Sequence, residues 1–152
     1  MQTRNELVSI ENQKVSLELN FFSEDDVPLL SKIYEKWVKL SDIIQQNGGR
    51  RINIPELLSE SVYCMFTNSG RLKSCEYSKV NTSWDCYNFD TNKRVQVKAT
   101  SVAEDLTSFG PRSEWDTLIF CDFYVEGKFD GSFRFYEIPN DKVYSQKVNK
   151  NQ

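Results

Sequence analysis

Residues 83–100, SWDCYNFDTNKRVQVKAT, hold two short runs rich in β-forming residues on either side of the turn Asp90, Thr91, Asn92, Lys93. The spacing predicts strands over 84–89 and 94–100. If the turn closes on Asp90 and Lys93, Asp85 stands opposite Lys98 and Tyr87 opposite Gln96. Side chains alternate along a strand, so Asp85, Tyr87, Gln96 and Lys98 share one face, while Cys86, Val95 and Val97 take the other. The valines mark that second face as core, and the polar set emerges together on the first. A one-residue slip would separate Asp85 from Gln96 and Lys98, so the grouping depends on the turn.

Working outward, SEDDVPLLSKIYEKWVKLSDIIQQNGG reads as a long helix from Ser23, with acids in its first turn and Gly48 and Gly49 as its stop. Val27, Leu30, Tyr34, Trp37, Leu40 and Ile44 recur at three- and four-residue steps as a core stripe. A second helix is predicted over 53–66, NIPELLSESVYCMF, with Pro55 near its start. Leu57, Leu58 and Val62 face the core there. Glu56 only complements the helix dipole, but Glu60, a turn further in, is less easily explained that way. Beyond the hairpin comes SVAEDLTSFGPRSEWD, a loop with a short helix, then TLIFCDFYV as a buried strand, EGKFDG as a turn and SFRFYEI as a last strand. These elements describe an α/β fold, a mixed β-sheet flanked by helices, in one domain over 1–152.

Composition narrows the chemistry. The chain has 152 residues, 27% of them charged and 13% aromatic, with a net charge of −3. This is a globular composition of single-domain size. It contains no histidine, which removes Ser-His and Cys-His nucleophile pairs, imidazole bases and nearly every ordinary zinc site. Its four cysteines form no C-x-x-C pair and read as reduced, partly buried thiols. The first residues lack a signal-peptide h-region, and the most apolar run contains Asp122, so the expectation is a soluble cytoplasmic protein without membrane contact. Charge is uneven: residues 1–30 carry a net −4, whereas Arg71, Lys73, Lys79, Lys93, Arg94 and Lys98 give residues 71–98 a net +3 against three acids. Such a run is a solvated basic face or a surface for an anionic partner.

The face of the hairpin has a specific chemistry. A hard divalent cation such as Mg2+ wants oxygen ligands, and Asp85, the Gln96 side-chain carbonyl and the Val97 main-chain carbonyl can supply them. A lysine beside such an ion can orient an attacking water, while the ion offsets charge on a phosphate oxygen. Taken alone, the spacing also fits a plain surface hairpin. The chain holds a second Asp…Glu-x-Lys spacing, Asp116 with Glu126-Gly127-Lys128, but Gly127 and Asp130-Gly131 mark a turn, where no pleat aligns side chains.

With those residues placed, the segment resembles the PD-(D/E)XK nuclease superfamily, which carries an aspartate on one strand and an acid-x-lysine triplet on the next. More closely, RVQVKATSVAEDLTSFGPRSEWDTLIFCDF, with IPELLSES and IPNDKVYSQKVNKNQ, is similar to a family of small type II restriction endonucleases associated with GCNGC sites. The likeness covers roughly residues 50–152. It implies a restriction-endonuclease-like fold and Mg2+-dependent, sequence-specific hydrolysis of double-stranded DNA. In that likeness Asp85 matches the motif aspartate, Gln96 the acidic position, Lys98 the lysine, and Glu60 a glutamate on a helix beside the site. Two departures stand out: Trp84 replaces the proline, and Gln96 replaces a carboxylate, which removes a negative charge and weakens metal binding. The resemblance further implies base reading by Ser101, Ser108, Arg112 and Glu114. It also implies a homodimer on a palindromic site and a C-terminal segment cut short relative to similar chains. Other readings are a repair or mobile-element nuclease of the same fold and a non-catalytic DNA-binding module.

Overall fold

The hairpin is present, but it closes differently. In the computed structural model, which describes residues 1–75, 83–100 and 115–139, the chain runs β1 (Gln2–Ile10), β2 (Gln13–Phe21), α1 (Val27–Gln46), α2 (Glu56–Phe66), β3 (Ser69–Cys75), β4 (Cys86–Asn88), β5 (Lys93–Thr100), β6 (Thr117–Asp122) and β7 (Arg134–Ile138). Cys86 pairs with Val95, Tyr87 with Arg94 and Asn88 with Lys93. The register is thus two residues away from the one expected. The cause is Asn88, whose side-chain oxygen accepts the Asp90 and Thr91 N–H groups at 2.9 and 3.2 Å, so the loop closes on Asn88 and Lys93 rather than on Asp90. A two-residue shift preserves alternation. It leaves the predicted faces intact but puts Gln96, not Lys98, beside Asp85.

The strands form one seven-stranded sheet in chain order. Only β5 and β6 run parallel, Val95 beside Thr117 through Thr100 beside Asp122; every other neighbouring pair is antiparallel. Both helices cover one face. Tyr63 and Cys64 of α2 pack on Cys86, Val95, Val97 and Ile119, and Leu30, Trp37 and Leu58 pack on Cys121 and Phe123. This is the predicted α/β fold with a mixed sheet, consistent with a restriction-endonuclease-like architecture.

The other face does not emerge as the sequence suggests. Tyr87 is 2% exposed and Gln96 6%, because β1 and β2, which the sequence reading left out, form a long hairpin that curls over them. Val15, Leu17 and Leu19 share a core with Trp84, Tyr87, Trp115 and Leu118. At the hairpin tip, Glu11 reaches Arg94 at 3.6 Å. Arg94 in turn clasps Asp116 through Nε and Nη2 at 3.1 and 3.0 Å. That use of Asp116, and positive φ at Glu126 and Gly127, agree with reading the second Asp…Glu-x-Lys spacing as a turn.

α1 ends where expected, with Gly48 at φ +85°, a conformation glycine adopts without strain. Its buried stripe is narrower than predicted: Leu30, Trp37 and Ser41 are buried, whereas Val27 and Leu40 are exposed. The four cysteines are free thiols. No helix among the described residues is long and apolar enough to cross a membrane.

Candidate active site

Asp85 sits just before β4, and its backbone is tied on both sides. Its carbonyl accepts the Leu72 N–H of β3 at 2.8 Å, and its N–H donates to the Val95 carbonyl of β5 at 2.9 Å. With the main chain fixed, the side chain turns toward β5. There Oδ2 accepts two hydrogen bonds, from Gln96 Nε2 and from the Val97 N–H, both at 2.8 Å. Gln96 spends its amide donor on that contact and leaves Oε1 buried without a hydrogen-bond partner among the described residues. A buried acceptor without a donor costs on the order of 1–3 kcal/mol, which is a reason to look for something that fills the position.

Glu60 comes from α2, whose apolar residues bind it to the sheet, and is 6% exposed. Its carboxylate accepts a hydrogen bond from Arg71 Nε of β3. Burial, helped by the charge on Asp85, nevertheless pushes the Glu60 carboxyl up to about 7 against the pull of Arg71. Asp85 is pushed up to about 6, again mainly by burial, which the Val97 N–H and the Lys98 ammonium partly offset. Burial raises both carboxyls, the Asp85 charge adds to the rise at Glu60 and the Glu56 charge to that at Asp85, a balance that a bound cation would relieve.

Glu60, Asp85, Gln96 and Lys98, drawn from one helix and two strands, therefore act on one another across a single site. The Val97 N–H faces Asp85, and the Val97 side chain is core. Ser101, Ser108, Arg112 and Glu114 lie outside the described residues. Arg71 was missed: its only trace in the sequence is membership of the basic run 71–98. No group of three or more His, Cys, Asp or Glu that could hold a metal occurs among the described residues. A cation here would rest on two carboxylates and the orphaned Gln96 amide oxygen, and that all-oxygen set fits Mg2+ better than a softer ion.

An α/β protein with a buried glutamate, a half-buried aspartate and a lysine where one helix meets two neighbouring strands is the class that this geometry defines. The chain belongs to the Bsp6I restriction endonuclease family, whose model matches residues 22–152. It is similar to the type II restriction enzyme Bsp6I of Bacillus sp. (strain RFL6), with 31% identity over 124 residues, 80% of this chain and 66% of that relative's length. No solved structure matches the chain.

Proposed function

We propose that the chain is a type II restriction endonuclease of the PD-(D/E)XK kind, hydrolysing phosphodiester bonds of double-stranded DNA with Mg2+. The family match supports the class, and the observation that carries the site is the Asp85 carboxylate, held by Gln96 and Val97 with Glu60 and Lys98 around it. Asp85, Glu60, the Gln96 Oε1 and the Val97 carbonyl would hold the ion. When bound, Mg2+ supplies positive charge to the phosphate and to the attacking water.

The chain's own residues do the rest. Lys98, on the same strand face as Gln96, orients the water and stabilises its developing negative charge. The Val97 N–H keeps Asp85 in place, and the partial burial that raises both carboxyls also lowers the local dielectric, which strengthens the charges acting there. Oε1 of Gln96 already has no partner among the described residues, and if the side chain turns to present it to an ion, Asp85 loses the Nε2 contact but keeps the Val97 N–H.

The proposal includes one nuclease domain over 1–152, a cytoplasmic homodimer on DNA, and base reading by Ser101, Ser108, Arg112 and Glu114, with arginine donating to guanine O6 and N7. Likeness to a family associated with GCNGC sites makes that sequence the first target. Incubating a labelled duplex bearing GCNGC and a duplex lacking it with the protein and Mg2+ tests this. Cleavage of the first alone supports it, and equal cleavage of both points to a nuclease without that specificity.

A further inference from the structure

Arg71 is a cation at the carboxylate pair that the motif does not account for. The sheet fixes its position: Arg71 stands opposite Cys86 on β4 and opposite Asn20 on β2. The next residue, Leu72, donates its N–H to the Asp85 carbonyl at 2.8 Å. The preceding residue is Gly70, where a Cβ would lie 2.9 Å from Leu19 Cβ, so β3 can approach β2 this closely only without a side chain at 70.

How Arg71 uses its guanidinium sets it apart. Arg94 clasps Asp116 through both Nε and Nη2, the two-point contact that arginine favours with a carboxylate. Arg71 touches Glu60 through Nε, and neither of its Nη groups has a hydrogen-bond partner among the described residues. Its side chain is 26% exposed, while Glu60 is buried. The charge also acts on Asp85. An arginine needed only to neutralise Glu60 would close its fork on it; this one keeps its outer donors available at the site.

Resting on the nuclease reading, we propose that Arg71 is a substrate-contacting residue: Glu60 holds the guanidinium by Nε, and the Nη groups donate to a non-bridging oxygen of the scissile phosphate. Charge develops on those oxygens as the phosphorus is attacked, and donors fixed before the substrate arrives need no reorganisation to meet it. The site has positive groups on both flanks of Asp85, Arg71 on β3 and Lys98 on β5. The planar fork of arginine suits phosphate in a way that a lysine ammonium does not.

The test uses the full chain with Arg71→Lys and Arg71→Gln, each checked by thermal melting. Duplex cleavage is measured at saturating DNA with Mg2+, and duplex binding by fluorescence anisotropy over a range of salt without divalent cation. Arg71→Lys keeps Glu60 compensated, so it should melt close to the wild type yet lose on the order of 100-fold in kcat with a smaller change in KM. Arg71→Gln should lower the slope of log affinity against log salt by about one. A folded Arg71→Lys that cleaves within about twofold of an active wild type would make Arg71 merely the counter-ion of Glu60. A wild type that binds but does not cleave would fail the nuclease reading, and the salt slope would still decide whether Arg71 meets a phosphate. A wild type that neither binds nor cleaves overturns both.

Discussion

Glu60 and Asp85 are charged only at a cost, and the cost has a sign in pH. Both carboxyls lie above their ordinary values, near 7 and 6, so the folded chain holds protons that the unfolded chain has already released. Their contribution to stability is therefore complete below about pH 4 and is lost as pH rises toward 7. Urea unfolding of the metal-free protein should show a decline over that interval that is smaller in Glu60→Gln. Added Mg2+ should raise the midpoint more at pH 8 than at pH 5, because it binds the ionised folded form. A profile unchanged by Glu60→Gln would mean that Glu60 is not the strained acid described. At this scale alternation put Asp85, Gln96 and Lys98 on one face, and the family resemblance, not the helix pattern alone, put Glu60 beside them. Arg71 was not legible in the sequence, since nothing local distinguishes an arginine on a short, glycine-containing strand from a solvated charge.

Among the elements, the β4–β5 hairpin shows how far a pattern reaches. Alternation fixed the faces, and an even register error could not disturb them; the error came from an asparagine side chain that widened the turn. β1 and β2 went unread because β1 is mostly polar and exposed. The signal lay in β2, where Val15, Leu17 and Leu19 alternate after Glu11 and Asn12, both at positive φ, a two-residue hairpin turn. α2 is the element on which the site depends, since its apolar side sets the position of Glu60. Leu58, 2% exposed beside Trp37 and Phe123, should cost about 2–5 kcal/mol of stability when changed to alanine, measured by urea unfolding. A loss below about 0.5 kcal/mol, the range of ordinary surface changes, would show that α2 is not packed on the sheet as described.

Over the whole molecule, the two sheet faces are closed by different means, helices on one and the β1–β2 hairpin on the other. The family match begins at residue 22, just after β2 ends, yet Val15, Leu17 and Leu19 have no exposed surface and cover Trp84 and Tyr87. Removing residues 1–21 should therefore expose that core, with strong binding of a hydrophobic dye and loss of a cooperative thermal transition. A truncated chain that melts cooperatively near the full-length temperature would contradict this packing. The sequence could not show the second cover, because a curled hairpin is recognised by what it packs on, which lies far along the chain. The central claim is that Asp85, Gln96, Glu60 and Lys98 form a hydrolytic site for DNA, and supercoiled plasmid incubated with Mg2+ tests it most directly, with Lys98→Ala as the control. Discrete fragments from the wild type, absent with a folded Lys98→Ala protein, are the predicted result; plasmid left intact by the wild type across metals and salt, or cut equally by both proteins, would contradict it.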